Sequence, residues 1–89
     1  MVVKETSIQN ASGFHIRPAQ LFVEKASQFT SEIRIITEGG DEVEGKSILG
    51  LMTLGFELGS KFKITAEGQD EEEAVNELID LVNNKFGEE

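Results

Sequence analysis

The chain has 89 residues, 38% hydrophobic and 28% charged, so a single domain over residues 1–89 is expected, because so short a chain cannot build two hydrophobic cores. It has no cysteine, which excludes a disulfide framework and a thiolate metal site, and its formal charge of -9 disfavours nucleic acid and anionic lipid as partners. The opening "MVVKETSIQN" lacks the apolar core of a signal peptide and no apolar run approaches membrane-spanning length, so a cytoplasmic protein with no membrane insertion is expected.

In chain order, "VVKETSI" at residues 2–8 is β-prone, and its expected partner is "EIRIIT" at 32–37, rich in branched residues. Between them, Pro18, Ala19, Phe22, Val23, Ala26 and Phe29 recur at helical spacing and predict an amphipathic helix. The "EGGD" turn should return the chain into a third short strand, "EVEG". In "KSILGLMTLG", 46–55, apolar residues surround any helical axis; a short helix with Ser47 as N-cap and Gly55 near its end is the reading adopted. "KFKITAEG" then alternates Phe62, Ile64 and Ala66 inward with Lys61, Lys63 and Thr65 outward, as a half-buried strand does. Asp70 and Glu73 form an N-cap pairing for a last helix carrying Ala74, Val75, Leu78, Ile79, Val82 and Phe86 on one side, with Gly87 as its stop. The order βαββαβα predicts an α+β fold, an open-faced β-sandwich whose four-stranded antiparallel sheet is covered on one face by three helices.

The only histidine, His15, lies in "GFHIRPA" with Arg17 two places on and the only proline, Pro18, directly after. Proline is favoured in the first turn of a helix, so His15 is expected at the lip of the first helix, with Gly13 freeing the preceding turn. A phosphoryl group on His15 would meet the first-turn amides and the guanidinium of Arg17, and an imidazole is both a nucleophile and a good leaving group for phosphate. A histidine at a helix start is more often a cap or a half-buried surface residue, and the spacing alone leaves that open. With no second histidine and no cysteine, neither a metal site nor a cofactor is expected.

The run "SGFHIRPAQLFV" resembles the active-site signature of the HPr family, the histidine-containing phosphocarriers of the bacterial phosphoenolpyruvate-dependent sugar phosphotransferase system. "GKSILGLMTLG" resembles the regulatory-serine segment of that family, and "ITAEGQDEEEAVNELIDLV" its last strand and helix. The resemblance implies that His15 accepts a phosphoryl group on Nδ1 from enzyme I and passes it to IIA domains of sugar permeases, with Arg17 neutralising the phosphate and Pro18 and Ser12 shaping the site. Such a protein is a covalent carrier, regenerated each cycle, and not a turnover enzyme. The resemblance also implies phosphorylation of Ser47 by an HPr kinase/phosphorylase and binding of a carbon-catabolite transcriptional regulator, although a helix-starting serine is explained equally by capping. Phe14, Ile16, Ile48, Leu49 and Met52 are the expected partner-docking residues, because they surround the site and cannot all face a core.

Phe14 and Ile16 depart from the smaller residues common beside the family's histidine. The acidic chain leaves electrostatic steering to Arg17, Lys25 and Lys46. Two other readings stay open: a paralogous, nitrogen-related regulatory phosphorelay, and a non-relay binding module acting through Ser47 and its apolar patch. A monomer suits a carrier that shows one face to successive partners.

Overall fold

The computed structural model describes residues 1–87 and runs β1 (Val2–Ser7), α1 (Ile16–Ala26), β2 (Glu32–Thr37), β3 (Glu42–Glu44), α2 (Ile48–Met52), β4 (Lys61–Glu67) and α3 (Glu71–Asn83), then a 3₁₀ turn, Lys85–Gly87. The strands form one antiparallel sheet in the order β1-β4-β2-β3, with the three helices packed on one face. The α+β open-faced sandwich expected from the sequence is therefore the observed fold. Its core lies where Ile33, Ile35, Phe62, Ile64 and Ala66 of the sheet meet Ala19, Phe22 and Ala26 of α1 and Ala74, Val75, Leu78 and Val82 of α3. The apolar stripes of both long helices face the sheet because burial of that face, and not helix propensity, holds them there.

Three local expectations are corrected. The partner of β1 is β4, not β2. A helical crossover leaves β1 and β2 parallel, so in this all-antiparallel sheet a strand of opposite direction lies between them, and β4 fills that place with both of its edges paired. As an edge strand, β1 tolerates Lys4 and Thr6 on its helix-facing side, where they donate to Asn76 Oδ1 (2.6 Å) and Asn83 Oδ1 (3.0 Å) of α3. Thr65 does point to the open face of the sheet but is buried, because its cross-strand neighbours Val3 and Arg34 flank it in the middle of the ladder.

The last helix stops at Asn83, three residues before Phe86. Lys85 and Phe86 take φ of 59° and 54°, and this left-handed turn brings the buried Phe86 ring back to Phe14. Asp70 does stand at the N-cap position, but its carboxylate makes no cap bond and Glu73 is not its partner. It accepts instead from the backbone amides of Thr30 (2.9 Å) and Ser31 (3.0 Å) and from the Ser31 hydroxyl, tying the start of α3 to the start of β2. The amide of Gly68 is taken by Glu71 Oε1 at 3.1 Å.

These donors, the Ser31 hydroxyl foremost, lower the Asp70 pKa from 3.8 to about 2. A depressed folded-state value means the contribution is present above the unfolded value and lost as pH falls through the folded one. Stability should therefore decline between pH ~4 and ~2, and Asp70→Asn should flatten that acid arm. Urea midpoints measured at half-unit steps across this window would check it. A residual slope is expected from Glu71, whose pKa is lowered by the Gly68 amide and the N-terminal ammonium.

Candidate functional site

The site is built on the connection from β1 to α1. Ile8 is held by the segment before β4, its amide donating to Ser60 O and its carbonyl accepting from Gly59, both at 2.9 Å. The chain then turns at Asn10 and rises through Gly13 at φ +66°. A Cβ on Gly13 would lie 2.2 Å from Phe56 O, so two backbones approach here as only glycine permits. The amide of Phe14 donates to the same carbonyl at 3.2 Å.

Phe14 is 5% exposed, and its ring lies against those of Phe22, Phe56, Phe62 and Phe86 at centroid distances of 5.6–6.1 Å. Its expected role in docking is thereby corrected: the ring belongs to the core beneath the site, because the turn at Gly13 directs it inward. His15 is next, extended (φ -82°, ψ -175°) and exposed, at the N-cap of α1. Its side chain makes no cap bond, while its carbonyl accepts from Ala19 at 3.0 Å.

Ile16, Arg17 and Pro18 form the first three positions of α1. The amides of Ile16 and Arg17 have no intrahelical acceptor, and Pro18, buried in the same turn, has no amide to satisfy. Together with the positive end of the helix they favour an anion beside His15. Arg17 is exposed and makes no ion pair among the described residues. The other two expected steering cations are engaged within the fold: Lys25 pairs with Glu77 at 3.3 Å and Lys46 Nζ donates to Phe29 O at 2.8 Å. Ser12 is half-buried, and its hydroxyl accepts from Asn10 Nδ2 at 3.1 Å.

Ser47 is the N-cap of α2, its hydroxyl accepting from the Gly50 amide at 3.0 Å. Leu51 turns into the core, whereas Ile48, Leu49 and Met52 stay exposed, Leu49 at 77%. Ile16, at 61% exposure, extends the same apolar surface from α1. A shallow depression of about 450 Å³ joins the two helices, with His15 and Ile16 on one side, Met52, Gly55 and Glu57 on the other, and Phe14 and Phe56 also in its lining. The structure thus gathers His15, Ile16 and Met52 at one place.

Asn10 and Phe56 support the site and are absent from the sequence expectations, and Phe86, expected on the last helix, joins them beneath Phe14. Asn10 had a local signal, since an asparagine three residues before a glycine suits a side-chain-stabilised turn. The two phenylalanines had none, being distant in the chain. Among the described residues no group of three metal-ligating side chains converges, and no helix is long and apolar enough to cross a membrane.

The family model for the PTS HPr component phosphorylation site matches residues 2–84. The phosphocarrier protein HPr of Borreliella burgdorferi is 46% identical over 84 residues, covering 94% of this chain and 96% of that protein. The HPr-like protein Crh of Halalkalibacterium halodurans is 42% identical over 85 residues, covering 96% of this chain and all of the relative. Among solved structures, HPr-C-His from Thermoanaerobacter tengcongensis superposes with a TM-score of 0.95 at 47% identity, covering 100% and 99% of the two chains. The sheet order, the histidine at the mouth of α1 and these matches over nearly the whole length agree, and the chain belongs to the HPr family of phosphocarrier proteins.

Proposed function

We propose that this chain relays a phosphoryl group through His15, taking it from phospho-enzyme I and delivering it to IIA domains of sugar permeases. The observation that carries the reading is an exposed imidazole with no side-chain cap bond, set beside Arg17 and the two open amides of α1. The Nδ1 lone pair forms the new N–P bond as the donor's bond to phosphorus breaks. The acceptor's nucleophile later displaces the ring in the same way, so the carrier is regenerated. Arg17 and the helix amides stabilise the charge that arrives with the phosphoryl group, and Ser12 and Pro18 shape the turn that presents it. Exposed Ile16, Ile48, Leu49 and Met52 form the docking surface, and the single domain works in the cytoplasm as a monomer.

Ser47 is the regulatory position in this reading, modified by an HPr kinase/phosphorylase. A dianion there sits at the start of α2, where it is compatible with the helix and adds repulsion toward phosphorylated donors at the docking surface. The similarity to Crh proteins supports a second reading, a regulatory module that binds a carbon-catabolite transcriptional regulator through Ser47 and the apolar surface. A nitrogen-related phosphorelay would use the same histidine with different partners.

Incubation with phosphoenolpyruvate, magnesium and a bacterial enzyme I tests the relay through His15. Wild type should gain one phosphate that is labile in acid and stable in base, and His15→Ala should gain none. A folded wild type left unlabelled by several enzymes I would move the assignment to the nitrogen-related phosphorelay or to the regulatory module.

A further inference from the structure

We propose that Asn10 is a positioning residue for phosphoryl transfer, holding the peptide unit that aims His15. The inference rests on His15 being the phosphoacceptor. Asn10 is 1% exposed, and its side-chain amide donates to Gly13 O at 2.9 Å and to Ser12 Oγ at 3.1 Å. The Gly13 amide returns to Asn10 O at 3.3 Å. No sheet or helix ladder covers this stretch, since β1 ends at Ser7 and α1 begins at Ile16. Its geometry therefore depends on such individual bonds.

The peptide joining Gly13 to Phe14 is held at both ends: its carbonyl accepts from Asn10 Nδ2, and its N–H donates to Phe56 O at 3.2 Å. A peptide unit is a rigid plane, so two bonds at opposite ends fix its rotation. From that plane the chain has only the backbone torsions of Phe14 and His15 left before the Cβ that carries the imidazole, and those of Phe14 are limited by its four ring contacts. Asn10 is thus the controlling contact on the carbonyl side. The role demands a donor of two hydrogens, which asparagine supplies and an ionised aspartate of the same shape does not.

Misplacing a reacting group by about 1 Å costs up to ~100-fold in rate. Acceptance from phospho-enzyme I, followed with this protein as the varied substrate, should show kcat reduced ~10- to 100-fold in Asn10→Asp and Asn10→Ala, with KM within about threefold of wild type, because the docking residues are untouched. Val75→Ala, a destabilising change in the core under α3, should keep the wild-type kcat while folded, which separates positioning from lost stability. Wild-type kcat in either folded Asn10 variant overturns the proposal, as does an equal fall in Val75→Ala. If both Asn10 variants fail to fold, Asn10→Ser, which retains one donor, replaces them under the same criteria. Wild type that takes no label would instead overturn the assignment of His15, a distinguishable result.

Discussion

Gly13→Ala should abolish most phosphoryl acceptance and destabilise the protein by several kcal/mol. Two costs combine. An L-residue at φ +66° gives up about 1–2 kcal/mol relative to its ordinary conformations. The added Cβ would stand 2.2 Å from Phe56 O and 3.0 Å from Glu57 Cα, both backbone atoms. Neither can yield by a side-chain rotation, so the segment before β4 must move away, at a further cost of about 1–3 kcal/mol typical of overpacking. Moving it breaks the Phe14–Phe56 backbone bond and strains the pair of bonds that join Ile8 to Gly59 and Ser60. Urea unfolding checks the stability term, and single-turnover phosphorylation by enzyme I checks the functional one. A Gly13→Ala protein with the wild-type midpoint and transfer rate would show that the close approach of these two loops is unimportant.

Phe14→Ala should cost about 3–5 kcal/mol, the usual range for removing a buried phenylalanine ring. Its ring is shared among four others, so the resulting cavity cannot be filled by one neighbour: Phe22 meets it edge-on, Phe56 stacks on it, and Phe62 and Phe86 are tilted against it. Phe14→Leu, which keeps most of the volume, should lose far less, about 1.5 kcal/mol or under. Ile16→Ala makes the informative contrast. Ile16 is exposed, so its removal should shift the melting temperature little and act through KM for the donor. Thermal melts of the three variants, set beside their KM and kcat values, assign the two neighbours of His15 to opposite roles. A stable Phe14→Ala with only a raised KM would return Phe14 to the docking surface.

The chemistry-bearing residues were legible in the sequence because they are nearly contiguous. His15, Arg17 and Pro18 fall within one turn, and the placement of a histidine at a helix mouth follows from proline's missing amide and fixed φ. Ser47 was legible as an N-cap for the same reason, its bond reaching only to Gly50. Asp70 was misread because a side chain at a cap position chooses among all donors in reach, and the Thr30 and Ser31 groups lie 40 and 39 residues away in sequence. Phe86 was misread because helical spacing continues through it, whereas the chain turns left-handed at Lys85 and still buries the ring.

Periodicity and composition were enough to establish the number, type and order of the elements, since an amphipathic stripe is a local property that needs only one buried face. The phosphocarrier expectation came instead from the resemblance of the motif residues, which share one loop and one helical turn, to the HPr family signature. Which strand pairs with which, the inward direction of Phe14, the engagement of Lys25 and Lys46, and the bonds that hold the Gly13–Phe14 peptide were all settled by tertiary packing. Each depends on contacts between segments tens of residues apart, or on a direction that a single backbone torsion reverses, and a pattern of residue types along the chain carries neither.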